Sequence, residues 1–292
     1  MSWRTVVISK RSKLDYRLGF LVIRSEEGID KIYLNEISTI ILENTAISLT
    51  GCLICELTNH KIKVIFCDEK RNPSSELISY YGSHDTSLKV KKQIQWNKFT
   101  KQMVWSEIVA EKIRMQAKFL KEIKKYDEAA LLDSYIGQIQ LDDVTNREGH
   151  AAKVYFNGVF GMDFTRTADN ALNAGLNYGY SIMLACFNRE IVANGYITQL
   201  GIYHDNMYNK FNLGSDLMEP YRVLVDRTVY RNDFSVFEKQ QKKILLNLFN
   251  QKIYIDGKEQ FVNNAIKIYC KSIFDAIEEN DISLIKFYSY EL

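Results

Sequence analysis

"KQIQWNKFTKQMVWSEIVAEKIRMQAKFLKEI", residues 92–123, is where the character of the chain changes. Its apolar residues recur near the 3.6-residue period and put Ile94, Phe99, Met103, Val104, Ile108 and Ile113 on or near one stripe, which predicts an amphipathic helix. Upstream the pattern is different. "RTVVISK" (4–10), "LGFLVIRS" (18–25), "KIYLNEI" (31–37), "TIILEN" (39–44), "KVIFCD" (63–68) and "ELISYYG" (76–82) are short, rich in Val, Ile, Phe and Tyr, and separated by polar turns such as "SEEGID" and "DEKRNPSS". They read as strands, interrupted by one helix from Ser48 to about Asn59. Downstream the chain reads as mostly helical, and prolines at Pro73 and Pro220 alone leave long helices free to run. The expected fold is α+β: a small N-terminal β-sheet domain with one helix (1–85), then a larger all-α C-terminal domain (86–292), with the boundary at residues 82–90.

At 292 residues and 46% hydrophobic, the chain can bury a substantial core. Its apolar runs are short and broken by charges, so none approaches the roughly 20 residues of a membrane span. The start, "MSWRTVVISKRSK", lacks the basic-then-apolar layout of a signal peptide, and the expected compartment is the cytoplasm. "CLIC" (Cys52, Cys55) has no second ligand pair at similar spacing to make a zinc site. Both cysteines are expected as small core residues on one helix face, and Cys67, Cys186 and Cys270, in apolar runs, likewise.

The net charge of +2 excludes nothing, but its distribution is uneven. From Lys89 to Lys125 eleven Lys and Arg residues face Glu107, Glu111 and Glu122. The stretch is either a solvated helix face or an electrostatic footprint for phosphates, with Lys89, Lys91 and Lys92 as DNA-binding candidates by charge alone.

Several carboxylates and one histidine stand out. Glu148 lies in "DDVTNREGHAAKVYFNGVFG", where Thr145 and Glu148 also have capping-box spacing, so cap and ligand are both open. His150, two positions on, points to another helix face and is left out. His204 sits in "LGIYHDNMYNKFNLGSDLMEP" ahead of Asp216 and Glu219, whose i, i+3 spacing shares a face if that turn is helical. Pro220 fits a first turn, so a helix is expected to begin near Asp216 or Leu217, with Asp216 as N-cap and Glu219 as a first-turn carboxylate. Taken together, a histidine nitrogen and carboxylate oxygens suit Mn²⁺ or Mg²⁺ and leave coordination positions for phosphate and water. In "DNALNAGLNYGYSIMLACF" (169–187), Gly175 and Gly179 inside a helical pattern imply very close packing against another backbone, while Asn170, Asn173 and Asn177 could orient a site or touch phosphate.

"NREGHAAKVYF", "DNALNAGLNYGYS" and "LGIYHDNMYNKFNLGSDLMEPYRVLVDR", in that order, resemble the CRISPR-associated spacer-acquisition integrase, the first of the numbered CRISPR-associated proteins, in its type II-like form. The resemblance spans essentially the whole chain. It implies CRISPR adaptation, an antiviral defence: a divalent-metal-dependent (Mg²⁺ or Mn²⁺) DNA endonuclease and transesterase that inserts captured double-stranded DNA fragments as new spacers at CRISPR repeats. It carries the metal-binding and catalytic positions onto Glu148, His204 and Glu219. Glu219 stands where many relatives have aspartate, and Asp216 is a secondary candidate. It further implies a homodimer built through the β-domain, a heterohexamer with the small second CRISPR-associated protein, contacts with the effector nuclease and other adaptation proteins of the locus, and no membrane partner. Two other readings stay open on the residues themselves: a member of the family that binds DNA without catalysis, and an unrelated helical protein whose charged residues are caps and solvated faces.

Overall fold

The period-2 segments of the first eighty residues assemble into two sheets. The computed structural model describes residues 4–69, 71–80 and 83–290. Strands β1 (Arg4–Ile8), β2 (Lys13–Arg17), β3 (Phe20–Ser25), β4 (Gly28–Tyr33), β5 (Ile37–Leu42) and β6 (Ser48–Leu49) precede helix α1 (Gly51–Asn59), and β7 (Lys63–Cys67) and β8 (Pro73–Leu77) follow it. One sheet has the order β1-β5-β7-β8 and the other β4-β3-β2-β6. β5 pairs in parallel with both β1 and β7 and is buried along its whole length, which is why "ISTIIL" is almost uninterruptedly apolar. β8 is antiparallel and at an edge, and Pro73, without an N–H to donate, is tolerated as its first residue. Tyr81 and Gly82, the end of the expected strand over 76–82, lie outside the described residues. β2 was not expected, since three of its five residues are charged.

α1 begins one turn later than its apolar period suggested, at the N-cap Thr50, whose hydroxyl accepts from Leu53 N–H at 3.3 Å. It buries Leu53 and Leu57 completely and leaves Cys52 and Cys55 exposed, against the expectation of core cysteines. Leucine offers more apolar area per position, so the leucine face wins the inward side. Cys67, Cys186 and Cys270 are buried as expected.

The helical part comprises α2 (Thr86–Ile94), α3 (Lys98–Glu122), α4 (Tyr126–Ile136), α5 (Arg147–Phe160), α6 (Ala171–Ala193), α7 (Asn212–Leu217), α8 (Arg222–Tyr230), α9 (Lys239–Asn247) and α10 (Val262–Glu279). The single stripe expected over 92–123 is split. Asn97 caps α3, its side chain accepting from Phe99 N–H (2.8 Å) and Thr100 N–H (3.2 Å), so Ile94 and Phe99 are exposed while Val104, Ile108 and Ile113 are fully buried. The C-terminal part is also not purely helical. β9 (Lys252–Ile255), β10 (Lys258–Phe261) and β11 (Tyr288–Ser289) form a three-stranded antiparallel sheet, whose strands are too short to show a period-2 signal in a helix-rich context.

α6 lies under the first sheet and against α8 and α9. A methyl group at Gly175 would collide with the Phe234 ring, and one at Gly179 with Val225 of α8. The close approach is therefore to side chains rather than to a second backbone. Two apolar cores result, one inside the strand region around Leu14, Ile40 and Leu57, the other among the helices. The helical core takes in Ile41, Ile65 and Cys67 from the sheet, so strands and helices share a packed face.

Candidate active site

The ionisable groups at the centre of the helical part come from three places in the chain. Glu148 is the second residue of α5. The helix start above it uses neither Thr145 nor a capping box. Asn146, in the left-handed region at φ 51°, is the N-cap and accepts from Gly149 N–H, while the Asp143 carboxylate accepts from Arg147 N–H at 2.8 Å and Glu148 N–H at 2.9 Å. The Thr145 hydroxyl is buried without a partner among the described residues. With the first-turn amides satisfied by others, the Glu148 carboxylate is released from capping.

Glu219 opens a 3₁₀ turn, Glu219–Tyr221, wedged between α7 and α8. Pro220 sits in that turn, as its missing N–H requires, but the helix does not begin at Asp216, which lies near the end of α7 instead of capping α8. Asp216 is completely buried and accepts backbone N–H bonds from Ile202 (2.6 Å), Tyr203 (3.1 Å) and His204 (3.0 Å). Its Oδ1 also meets His204 Nδ1 at 2.5 Å. Gly201 makes this wrap possible, since a Cβ there would strike the His204 carbonyl and the Asp216 carboxylate. Asp216 is thus occupied in shaping the loop and orienting the imidazole.

Lys112, in the middle of α3, links the other two carboxylates. Its side chain is 7% exposed, and Nζ lies 2.5 Å from Glu148 Oε1 and 2.5 Å from Glu219 Oε2. Glu219 Oε1 contacts Arg222 Nε at 2.9 Å. Burial works against each charge, but Glu219 and then Glu148 raise the Lys112 pKa, while Arg222 and then Lys112 lower that of Glu219. The His204 pKa is raised, first by its hydrogen bond to Asp216 and, against its burial, by the charges of Asp216, Glu219 and Glu148. The three sequence candidates are electrostatic neighbours. Among the described residues, however, no three Asp, Glu, His or Cys side chains close on one point, because both glutamates are turned onto Lys112. Trp105 of α3, fully buried, stacks parallel on Tyr203 (4.4 Å, 2°) and meets the His204 ring edge-on at 5.7 Å, fixing the loop from its other side.

The lysine candidates do not form one free surface. Lys89 and Lys92 both bind Glu278 (2.6 and 3.2 Å), and Lys91 is exposed. Elsewhere in the basic stretch Arg114 pairs with Glu111, Lys121 pairs with Asp133 (2.7 Å), Lys118 sits over the Tyr290 ring, and Lys112 is inside. Much of the apparent charge excess is therefore neutralised within the fold. The asparagines of α6 also have structural work. Asn170 caps the helix, and Arg166 bonds to Asn173 Oδ1 and to Asn177 Oδ1 (2.7 Å).

Reading the sequence missed Lys112 and Arg222. The signal for Lys112 was present: it lies four residues from each of Ile108 and Gln116, on the buried face of α3, where an ammonium requires counter-charges.

The family model for CRISPR associated protein Cas1 matches residues 5–259. A CRISPR-associated endonuclease Cas1 of Neisseria meningitidis serogroup C is 33% identical over 229 residues, 78% of this chain and 75% of the relative. In fold, the chain is similar to a Cas6-RT-Cas1–Cas2 complex (TM-score 0.75, 18% identity, 97% of this chain and 36% of that one). It is also similar to a casposase bound to its integration product (TM-score 0.73, 17% identity, 97% and 92%).

Proposed function

This chain belongs to the CRISPR-associated Cas1 family and is an enzyme of CRISPR adaptation, an integrase and DNA endonuclease, and we propose that Glu148, His204 and Glu219 are the groups that carry its phosphodiester chemistry. The observation that carries the assignment is the approach of Glu148 and Glu219 to a single cation, with His204 held beside them by Asp216.

The donor set suits a small divalent cation. It offers two carboxylates and one imidazole nitrogen, Nε2, since Nδ1 is bonded to Asp216. Glu219 Oε2 is buried and its contact is the Lys112 ammonium at 2.5 Å, so that oxygen already faces a cation, as a metal ligand would. A bound Mg²⁺ or Mn²⁺ would polarise the scissile phosphate and stabilise charge on the attacking or leaving oxygen. Asp216 keeps His204 in the tautomer whose Nε2 is unprotonated. Arg222 fixes one oxygen of Glu219 and leaves the other facing the site. Attack by a DNA 3′-hydroxyl gives strand transfer, and attack by water gives cleavage.

The same reading assigns partners. Double-stranded DNA, as captured fragment and CRISPR repeat, is the substrate. The β part (1–85) is the dimerisation unit, a role that the exposed Leu18, Phe20, Ile29 and Tyr33 on and beside β3 and β4 fit, and the helical part (86–292) is catalytic. A Cas2 dimer would bridge two such dimers, and the effector nuclease and other adaptation proteins of the locus would join them. No helix among the described residues is long and apolar enough to cross a membrane, and the five free cysteines fit a reducing cytoplasm. The deciding experiment is integration of a fragment into a locus-matched repeat with the partner protein and Mn²⁺ or Mg²⁺. Activity that requires the ion and is lost in Glu148→Gln supports the assignment, and activity retained in that variant refutes it.

A further inference from the structure

Lys112 is a second cation in a site built for a cation. Among the described residues the carboxylates that pair with Lys112 are Glu148 and Glu219; buried Glu111, next to it on α3, pairs with Arg114, and Ile108, Val109, Ile113 and Met115 are apolar core. Lys112 Nζ contacts one oxygen of Glu148 and one of Glu219, 2.5 Å each. Glu219 is buried and Glu148 partly so, and a positive charge between the two carboxylates offsets their mutual repulsion. Lysine supplies that charge as a compact point on a flexible stem, which can withdraw without rearranging the helix that bears it.

We propose that Lys112 is the resident cation of the Glu148–Glu219 pair: it holds the pair together in the metal-free protein, gives up at least one carboxylate when a divalent ion enters, and thereby lowers the site's affinity for that ion. This rests on the assignment of Glu148 and Glu219 as ligands. An ammonium and a divalent ion compete for the same oxygens and repel each other, so the ion must displace the lysine. The apo site stays preorganised and charge-balanced, and occupancy follows the metal concentration instead of being saturated at trace levels. Arg222 does not share the role, because it contacts the other oxygen of Glu219.

The test uses the full chain with Lys112→Met and Lys112→Gln, which keep the length of the side chain or a donor but remove the charge. Mn²⁺ affinity is measured by calorimetric titration, and melting temperature is measured in chelator and in saturating Mn²⁺. Affinity is expected to rise at least tenfold in both variants. Their melting temperature should fall below that of the parent in chelator, and the gain on adding Mn²⁺ should exceed the parent's. Should a variant fail to fold in chelator, Mn²⁺ is expected to restore the fold, since the ion replaces the missing charge. Unchanged or weaker affinity, or a thermal gain no larger than the parent's, would overturn the proposal. The parent and Glu148→Gln separate this outcome from a wrong site: absence of Mn²⁺ binding in the parent, or binding unaffected by Glu148→Gln, would remove the ligand assignment itself.

Discussion

Asp216 binds His204 twice, accepting its backbone N–H at 3.0 Å and meeting its Nδ1 at 2.5 Å. One buried carboxylate thus holds the imidazole in position and favours a proton on its Nδ1. Asp216→Asn keeps an acceptor for the Ile202 and Tyr203 amides but turns an NH₂ toward His204 Nδ1, which moves the ring proton to Nε2 and gives up the bond to the His204 amide. Mn²⁺ affinity should fall about 10–100-fold, with integration falling in parallel and the far-ultraviolet spectrum unchanged. Calorimetric titration checks this, and unaltered affinity would reduce the contact to loop architecture.

Loss of a ligand and loss of stability separate differently at the two glutamates. Glu148→Ala, His204→Ala and Glu219→Ala should each abolish integration, since each removes a ligand of the ion that would polarise the scissile phosphate. Glu219 is nearly fully buried against Lys112 and Arg222, so Glu219→Ala should also destabilise the fold by about 3 kcal/mol, through buried positive charge left uncompensated. Glu148, with a side chain 24% exposed, should cost less. His150→Ala should leave integration near normal. Urea denaturation beside the integration assay resolves the two effects, and equal stability loss at both glutamates would contradict the difference in burial.

Lys89, Lys91 and Lys92 are not equivalent, because Glu278 takes the first and third. If Lys91 contacts a DNA phosphate, Lys91→Ala should reduce the slope of log affinity against log salt by about 0.9, equally for unrelated duplexes. Lys89→Ala should act mainly on stability, through Glu278 and Tyr196. Duplex titrations at several salt concentrations decide it, and a salt slope that Lys91→Ala leaves unchanged returns this lysine to the ordinary surface.

Asp226, buried between the hydroxyls of Tyr155 and Tyr180, has its pKa pushed up to about 6, burial outweighing the donated hydrogen bonds. The folded state therefore keeps a proton that the unfolded chain releases near pH 4. This contribution is fully present below about pH 4 and is lost as pH rises through 6, worth on the order of 3 kcal/mol across the interval. In urea melts from pH 4 to 7, Asp226→Asn should remove that decline, so the difference between parent and variant narrows as pH falls. A difference that does not vary with pH would exclude Asp226 as its source.

The division into a strand region and a helical region is written locally, because period-2 alternation and the 3.6-residue stripe are properties of neighbouring residues, and β5 and α3 show them plainly. The resemblance in three short stretches likewise pointed to Glu148, His204 and Glu219 as candidates before any geometry. Local pattern was weaker where two local signals competed. Asn97 and Asn146 took the caps that periodicity and the Thr145 spacing concealed, and leucines displaced Cys52 and Cys55 from the core.

What the chain does with its charges was decided by tertiary structure alone. Lys112 and Glu148 are 36 residues apart, Lys89 and Glu278 are 189 apart, and no reading of a linear charge run separates a lysine bound inside from one facing solvent. The same holds for Asp216, legible as a possible ligand, whose bonds to the His204 loop only the fold shows. A sequence shows which groups can ionise, whereas partner and burial fix the energy of each charge. Both are set only when distant segments pack together.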